Sequence, residues 1–574
     1  MSIQGHLSHI VGEIFEDLGL PPGLGEVLPS QRPELAQFQC NGAMAAAKIA
    51  GRPPREIASE VAERLAKLDE IEFADIAGPG FVNLSLTAES LAEWSNRTAA
   101  HDQLGYELRE PTRTVLVDYA GPNVAKAMHV GHLRATIIGD ALARLFAFAG
   151  HQVIRDPHFG DWGFQMGLLI AVVKEQGIDP KSITLDDLQT IYPEASQRAE
   201  SDPDFADRAR QETVLLQSND PQNLDIWRQM KAVSEKSQRE DFTALGVEFD
   251  LWYGESDVHD RLAPLVDQLR ESGAAEESEG ALVVRVDKPE DNREWPPLIL
   301  LSSAGGFLYS TTDMATLQMR VDDLGADLIL YVVDRRQSDH FTQLFRAARK
   351  SGIVPQGVDL EHISYGTMNG PDGRPFKTRA GGVVQLGDVI AMIRRAARER
   401  LDEAKLAEEY PDQERTAIAD QVGLATLKFG DLINNRNSDY VFDLDRFSSF
   451  EGKTGPYLQY QAVRIKSILR KAYDRGAEPG DIIPASDQSE LDLVLELLRS
   501  PEAIERALEL RSPNHVAEHA YNVAARFSTF YDRCHILSEE DHARQSSWLG
   551  ISAWALETLE TLLDQLGITV PDRM

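Results

Sequence analysis

The sequence predicts a doubly wound α/β protein, a parallel sheet flanked by helices, with a smaller α+β unit before it and an all-helical region after it. Three observations predict this. Short β-branched runs, "TVLVDYA" (114–120), "HQVIRD" (151–156) and "ADLILYVVD" (326–334), read as buried strands. Stretches of helical periodicity separate the runs, as the crossovers of a parallel sheet require. After about residue 385 the strand-like runs stop and only helical periodicity remains.

In chain order, residues 1–108 form the first unit. It holds helical "NGAMAAAKIAG" (41–51) and "PREIASEVAERLAKL" (54–68), then "EFADIAGPGFVNLSLT" (72–87), whose Gly-Pro-Gly turn separates two strands. The sheet domain spans 109–385. Its first strand leads to a helix over 131–149, where Leu133, Ile137, Ile138, Leu142, Leu145 and Phe146 recur at helical spacing until Gly150 ends the run. A second strand and a helix from about Phe164 follow. From about 175 to 255 the chain is polar, acidic and helical, an insertion on one edge of the sheet. Alternation resumes with "PLILLSSAGGFLYS" (297–310), a helix over 312–323, the 326–334 strand, a helix over 339–350 and "EHISYGTM" (361–368). Residues 386–450 read as a helical connecting region and 451–574 as a helical bundle.

Hydrophobic content of 42% and charged content of 26% are those of a soluble globular protein. No stretch approaches the ~20 apolar residues of a membrane span, and the first residues lack the order of a signal peptide, so a cytosolic protein is expected. Cys40 and Cys534 belong to no CxxC pair and read as small core residues. The net charge of −34 opposes a polyanionic partner unless basic residues gather locally. They do so in "IRRAARER" (393–400) and "VRIKSILRKAYDRG" (463–476), both at helical spacing.

The chemistry concentrates in "GPNVAKAMHVGH" (121–132), where His129 and His132 flank Gly131 at the mouth of a helix. A strand-to-helix junction offers free N–H groups and the positive end of a helix dipole, a ready place for phosphate. Gly131 permits close approach, and imidazoles there can donate to phosphoryl oxygens. An isolated HxGH is equally a polar helix face or a cap, so the context decides. A doubly wound sheet binds ligands at the carboxyl ends of its strands. Two later segments fall at such ends: "YVVDRRQSDHF" (331–341) and the Gly-rich, basic "MNGPDGRPFKTRAGG" (368–382), whose Lys377 and Arg379 sit on a loop able to close over phosphates.

Together these segments resemble the class I aminoacyl-tRNA synthetases, and within them the arginyl-tRNA synthetase family. "HVGH" resembles the class signature HIGH, which small nucleotidylyltransferases share. "DYAGPNVAKAMHVGHLRATIIGD", "FGDWGFQMGLLI", "YVVDRRQSDHFTQLF", "SFEGKTGPYLQYQAVRIKSILRK" and the terminal "PDRM" extend the match over nearly the whole chain, most weakly across 175–290. One departure is the class's KMSKS loop, reduced here to "PFKTR". Members with this reduced loop carry a lysine before the first HIGH histidine, and Lys126 stands there.

The resemblance implies a Rossmann-type catalytic domain. It implies activation of L-arginine by ATP with release of pyrophosphate, then transfer to the terminal ribose of tRNA(Arg). His129, His132, Lys126 and Lys377 would stabilise the phosphoryl transition state, with Gly131 and Arg379 also on ATP. Mg²⁺ would be held mainly by the ATP phosphates rather than by a protein metal site. Asp118, Asn123, Tyr309, Asp313 and Gln337 would bind arginine, whose planar, always charged fork calls for carboxylates and a flat neighbour. At "STTD", Asp313 is equally placed for a helical cap.

Buried carboxylates would reject lysine and citrulline without an editing domain. Residues 1–108 would touch the tRNA's corner loop, with Asn83 supporting a turn, and the bundle would read the anticodon. Tyr457, Tyr460, Tyr521, Phe527, Phe530 and Tyr531 are available there for stacking, some of them necessarily core. A cytoplasmic monomer is expected. A nucleotidylyltransferase would leave the helical C-terminus without a task, and a synthetase for glutamate or cysteine should show a basic pocket or zinc-ligand cysteines.

Overall fold

The computed structural model describes residues 2–30, 32, 35–303, 305–370, 372–374 and 384–574. They form two compact units: Met1–Leu108 with Leu406–Glu409 and Phe450–Met574, and Arg109–Lys405 with Tyr410–Ser449. The first unit thus joins the N-terminal segment to the C-terminal helices.

In the first unit an antiparallel sheet runs in the order Val27–Pro29, Phe38–Cys40, Phe81–Leu86, Ile71–Ala77. Its last two strands form the hairpin expected around "GPG". Buried Asn83 accepts from Gln39 Nε2 at 2.7 Å, so it holds the sheet. Helix Pro54–Leu65 covers the sheet with Ile57, Ala58, Val61 and Leu65. The C-terminal helices are Gly455–Tyr473, Gln488–Leu497, Ser500–Leu510, Asn514–Arg533 and His542–Gln565. Asn96 ties the segment to the bundle by donating to Ile482 O at 2.8 Å and accepting from Ile482 N at 2.7 Å.

The second unit carries the parallel sheet: β1 (Thr114–Tyr119), β2 (Gln152–Asp156), β3 (Leu328–Val332) and β4 (Asp359–His362), in the order β4-β3-β1-β2 with every pairing parallel. Helices α1 (Val130–Phe148), α2 (Tyr309–Asp322) and α3 (Ser338–Lys350) are the crossovers near the site. Leu116, Ile329, Met314, Leu317, Leu344 and Ala347 make the core between sheet and helices.

Three segments depart from the sequence reading. Leu298–Leu301 does not join the parallel sheet. It pairs antiparallel with Ala281–Val284, which pairs with Glu276–Ser278; these strands of three and four residues are too short to show a period. Residues 361–368 divide between β4 and Met368–Asn369, which pairs with Tyr440–Val441. The insertion, polar outside, has its own apolar interior: Phe205, Leu216, Ile226 and Met230 pack on Trp162 and Met166.

Helices Leu386–Glu403 and Asp412–Leu432 belong to this second unit and pack against each other. Val130 N donates to Val384 O at 3.1 Å and Leu386 N to Met128 O at 2.9 Å, so the chain after residue 383 lies along the entry to α1. Buried Arg134 on α1 pairs with Asp431 at 2.8 Å and donates to Gly366 O at 2.8 Å. Among the described residues no helix is long and apolar enough to cross a membrane.

Candidate active site

His129 is the N-cap of α1, and the two histidines cap the helix reciprocally. Gly131 N donates to His129 Nδ1 at 3.0 Å, and His129 N donates to His132 Nδ1 at 3.1 Å. The rings lie 4.1 Å apart. A Cβ on Gly131 would stand 2.7 Å from His129 Cε1, so glycine is what lets that ring fold back over the helix end. Because each Nδ1 is an acceptor, the proton of each neutral ring sits on Nε2. Burial and the neighbouring His129 push His132 down to about 3, while burial and the charge of Lys126 lower His129. At neutral pH the pair therefore offers two uncharged Nε2–H donors. The cap that the sequence offers as one reading is formed, and it leaves both Nε2–H groups uncommitted to the helix end.

Asp118 is the penultimate residue of β1 and Asp156 the last of β2, and their Cα positions pair across the sheet. Between the two carboxylates lies the guanidinium of fully buried Arg320 from α2. Its Nη2 is 2.6 Å from Asp118 Oδ2 and 2.7 Å from Asp156 Oδ2, and its Cζ lies 5.2 Å from the ring of Tyr331 on β3. Asp118 keeps its other oxygen, Oδ1, without a hydrogen bond among the described residues. The chain leaves these strands under strain, with Ala120 at φ 78°, Ala125 at 67° and His158 at 39°, a region that L residues seldom occupy.

α2 begins with Tyr309, and Asp313 lies one turn later. His340 of α3 joins them: its Nε2 is 2.7 Å from Asp313 Oδ2 and its ring 5.0 Å from that of Tyr309, which is 64% exposed. Gln337, exposed just before α3, follows β3, and half-buried Asn123, beside Gly160, follows β1. Glu255 accepts from Trp162 N at 3.2 Å. Burial, and then the charge of Asp161, raise its carboxyl to about 7, with Asp313 adding to the rise. Asp161 itself is paired with Lys231 at 2.6 Å.

Lys126 Nζ lies 4.7 Å from the ring of Tyr192 in the insertion, and its charge reaches both histidines. Lys377 and Arg379 lie outside the described residues. Sequence reasoning missed Glu255, Arg320, His158 and His340. His340 stands inside the quoted "RRQSDHF" and Glu255 at the margin of the insertion, but neither shows spacing that marks it.

One group among the described residues has metal-ligand spacing: Asp118, Asp156 and His158. Its carboxylates already hold the Arg320 cation, so it does not fit a divalent ion.

Of the basic runs, 393–400 is largely neutralised: Arg394 pairs with Asp420, Arg398 with Asp412 and Arg400 with Glu403. In the bundle, Phe527 and Phe530 are core. Tyr457, Tyr460, Tyr521 and Tyr531 are only part-buried, and cations face three of them. Arg464 lies 5.2 Å from the ring of Tyr460 and 5.3 Å from that of Tyr531, and Lys453 lies 5.1 Å from that of Tyr521.

Three family models match the chain: tRNA synthetases class I (R), catalytic domain, over residues 96–444; DALR anticodon binding domain over 458–574; and Arginyl tRNA synthetase N terminal domain over 2–86. Curated proteins named arginine–tRNA ligase are similar along their whole length. One from Maricaulis maris is 46% identical and one from Hyphomonas neptunium 44%, each with 100% of both chains covered. The solved arginyl-tRNA synthetase of Thermus thermophilus superposes with a TM-score of 0.83 at 25% identity, covering 100% of each chain. That of Plasmodium falciparum, at 24% identity, shares the fold with a TM-score of 0.85 over 100% of this chain and 99% of its own.

Proposed function

The chain belongs to the arginyl-tRNA synthetase family of class I, and from that premise we propose how its residues carry the ATP-dependent joining of arginine to tRNA(Arg). The observation that carries the proposal is the reciprocal cap of His129 and His132. The arginine carboxylate attacks the α-phosphorus of ATP and pyrophosphate departs. No protein nucleophile is needed, so the rate comes from positioning and from donors set in place before charge moves. The two Nε2–H groups supply such donors at the phosphates. Lys126 adds positive charge on the same side, and Lys377 and Arg379 add it from the loop.

Glu255 and Asp313 form the acceptor pair for the substrate guanidinium. His340 fixes one oxygen of Asp313 and leaves the other free, and Tyr309 supplies a flat face. Asp118 Oδ1 takes the α-ammonium, and Asn123 and Gln337 take the remaining polar groups. Since the Asp118–Asp156 pair already holds the Arg320 cation, Mg²⁺ would be carried by the ATP phosphates, where it would offset their charge. Residues 1–108 meet the tRNA's corner loop, 109–385 hold the chemistry, 386–450 connect and 451–574 read the anticodon. The tyrosines beside Arg464 and Lys453 form the stacking surface. The protein works as a cytoplasmic monomer.

The test is pyrophosphate exchange over all twenty amino acids, with and without tRNA whose terminal ribose has been oxidised so that it binds but accepts nothing. Arginine alone should support exchange, and only with tRNA present. Exchange with a different amino acid would overturn the assignment. Brisk exchange without tRNA would remove only the dependence on tRNA.

A further inference from the structure

We infer that Arg320 decides which way round arginine enters the site. This rests on the pocket proposed above and goes beyond it. L-arginine is cationic at both ends, with a guanidinium at one and an α-ammonium beside the reacting carboxylate at the other. The site is acidic at both ends too, Asp118 and Asp156 at the strand tips and Glu255 and Asp313 beyond them.

Of the two, the strand-tip pair is the more secluded, with side-chain exposures of 9% and 0%. A planar fork gains most where two carboxylates are shielded from water. Left open, that pair would attract the substrate's guanidinium. The reacting carboxylate would then sit at the wrong end, away from the strand exit that leads into the histidine loop. Arg320 forestalls this by placing a guanidinium of the same chemistry there permanently. Both of its contacts come from a single nitrogen, so it bridges the carboxylates rather than forking onto either. What remains for the ligand is one oxygen, Asp118 Oδ1, which suits an ammonium and cannot hold a fork. Arg320 is thus a positioning residue that sets specificity for orientation and touches no reacting atom.

The experiment measures aminoacylation across a wide range of arginine concentrations in wild type, Arg320→Ala and Arg320→Lys, with melting curves on each. Arg320→Ala should show a rate that rises and then falls with arginine, as a second, inverted binding mode fills the vacated pair. Guanidinium chloride at about 10 mM, enough to occupy a site of millimolar affinity, should refill the pair and abolish the inhibition, recovering the rate at high arginine about tenfold, while in wild type it acts only as a competitor of arginine at Glu255 and Asp313, raising KM with kcat unchanged. A folded Arg320→Ala with simple saturation and no response to guanidinium overturns the inference. Where Arg320→Ala is recovered unfolded, Arg320→Lys decides. It keeps a charge but cannot lie flat across both carboxylates, so inhibition at high arginine with kcat/KM retained is expected. Simple saturation with the wild-type KM overturns the inference. Failure of wild type to use arginine would instead sink the pocket itself, so the two failures are distinct.

Discussion

Lowering the pH from 8 to 6 is expected to weaken arginine binding about tenfold, because Glu255, held near pKa 7 by burial and by the charge of Asp161, must lose its proton before it can accept a guanidinium. At pH 8 nearly every empty site carries the carboxylate. At pH 6 about nine in ten carry the acid, and binding must include deprotonation at ~1.4 kcal/mol for each pH unit below 7. Affinity therefore rises with pH and levels off above 7. Near pH 7 binding should release about half a proton. Titration calorimetry at three pH values, in two buffers of different ionisation enthalpy, measures both quantities.

The same group makes a second, opposite mark on the empty protein. Its pKa lies above the ordinary 4.5, so its contribution to stability is complete below pH 4.5 and is lost as pH rises through about 7, a change of about 3 kcal/mol. Glu255→Gln should accordingly melt higher than wild type at pH 8 while binding arginine at least about 100-fold more weakly. A dissociation constant that moves less than threefold between pH 6 and 8, or binding heats independent of the buffer, would refute the reasoning.

Asp313→Asn should raise the arginine KM about 100-fold with kcat little changed, since a charge-assisted partner is lost while His340 stays in place. Initial rates that shift KM less than threefold would remove Asp313 from the pocket. His132→Ala should slow arginine activation about 100- to 1,000-fold, as loss of a preorganised donor does, with the arginine dissociation constant unchanged. Single-turnover measurement of the activation step reads this, and an unaltered rate would reduce the pair to a helix cap. Arg134→Met leaves Asp431 as an unpaired buried charge and should cost about 3–5 kcal/mol in denaturant unfolding, most of it recovered when Asp431→Leu is added. No recovery in the double variant would show that the pair is not what Arg134 contributes.

What the sequence revealed was local. His129, Gly131 and His132 stand out because the cap they form is built within four residues, and β1 and β3 stand out because a strand buried on both faces is a nearly continuous apolar run, broken in β1 by Asp118. Tyr309 and Asp313 share a face because a helical turn puts them there. Arg320 and Glu255 were silent for the opposite reason. Arg320 meets its carboxylates across 202 and 164 residues, and nothing in "LQMRVDD" distinguishes it from a surface arginine. Glu255 acquires its function from burial among distant acids, which a sequence does not display. His340 looks like any polar residue at a helix start until Asp313 is seen at 2.7 Å. The strand at Leu298–Leu301 was placed in the wrong sheet because four apolar residues satisfy either partner.

The pairing of Met128 and Val130 with Val384 and Leu386 uses main-chain atoms alone. A junction of that kind places almost no demand on side-chain identity: any residue except proline at 130 or 386 can make it. Residues 384 and 385, half-buried and exposed, are therefore free to drift among related chains while the join to the histidines is inherited intact; Leu386, whose side chain is fully buried, is not. A survey of sequence variability would mark those two positions as dispensable, although they lie where the chain is fastened to the start of α1. In this family, tolerance to substitution at these positions should coexist with intolerance to insertion or deletion. A single added residue would carry the donor at Leu386 out of step with Met128 and undo the junction, whatever that residue was.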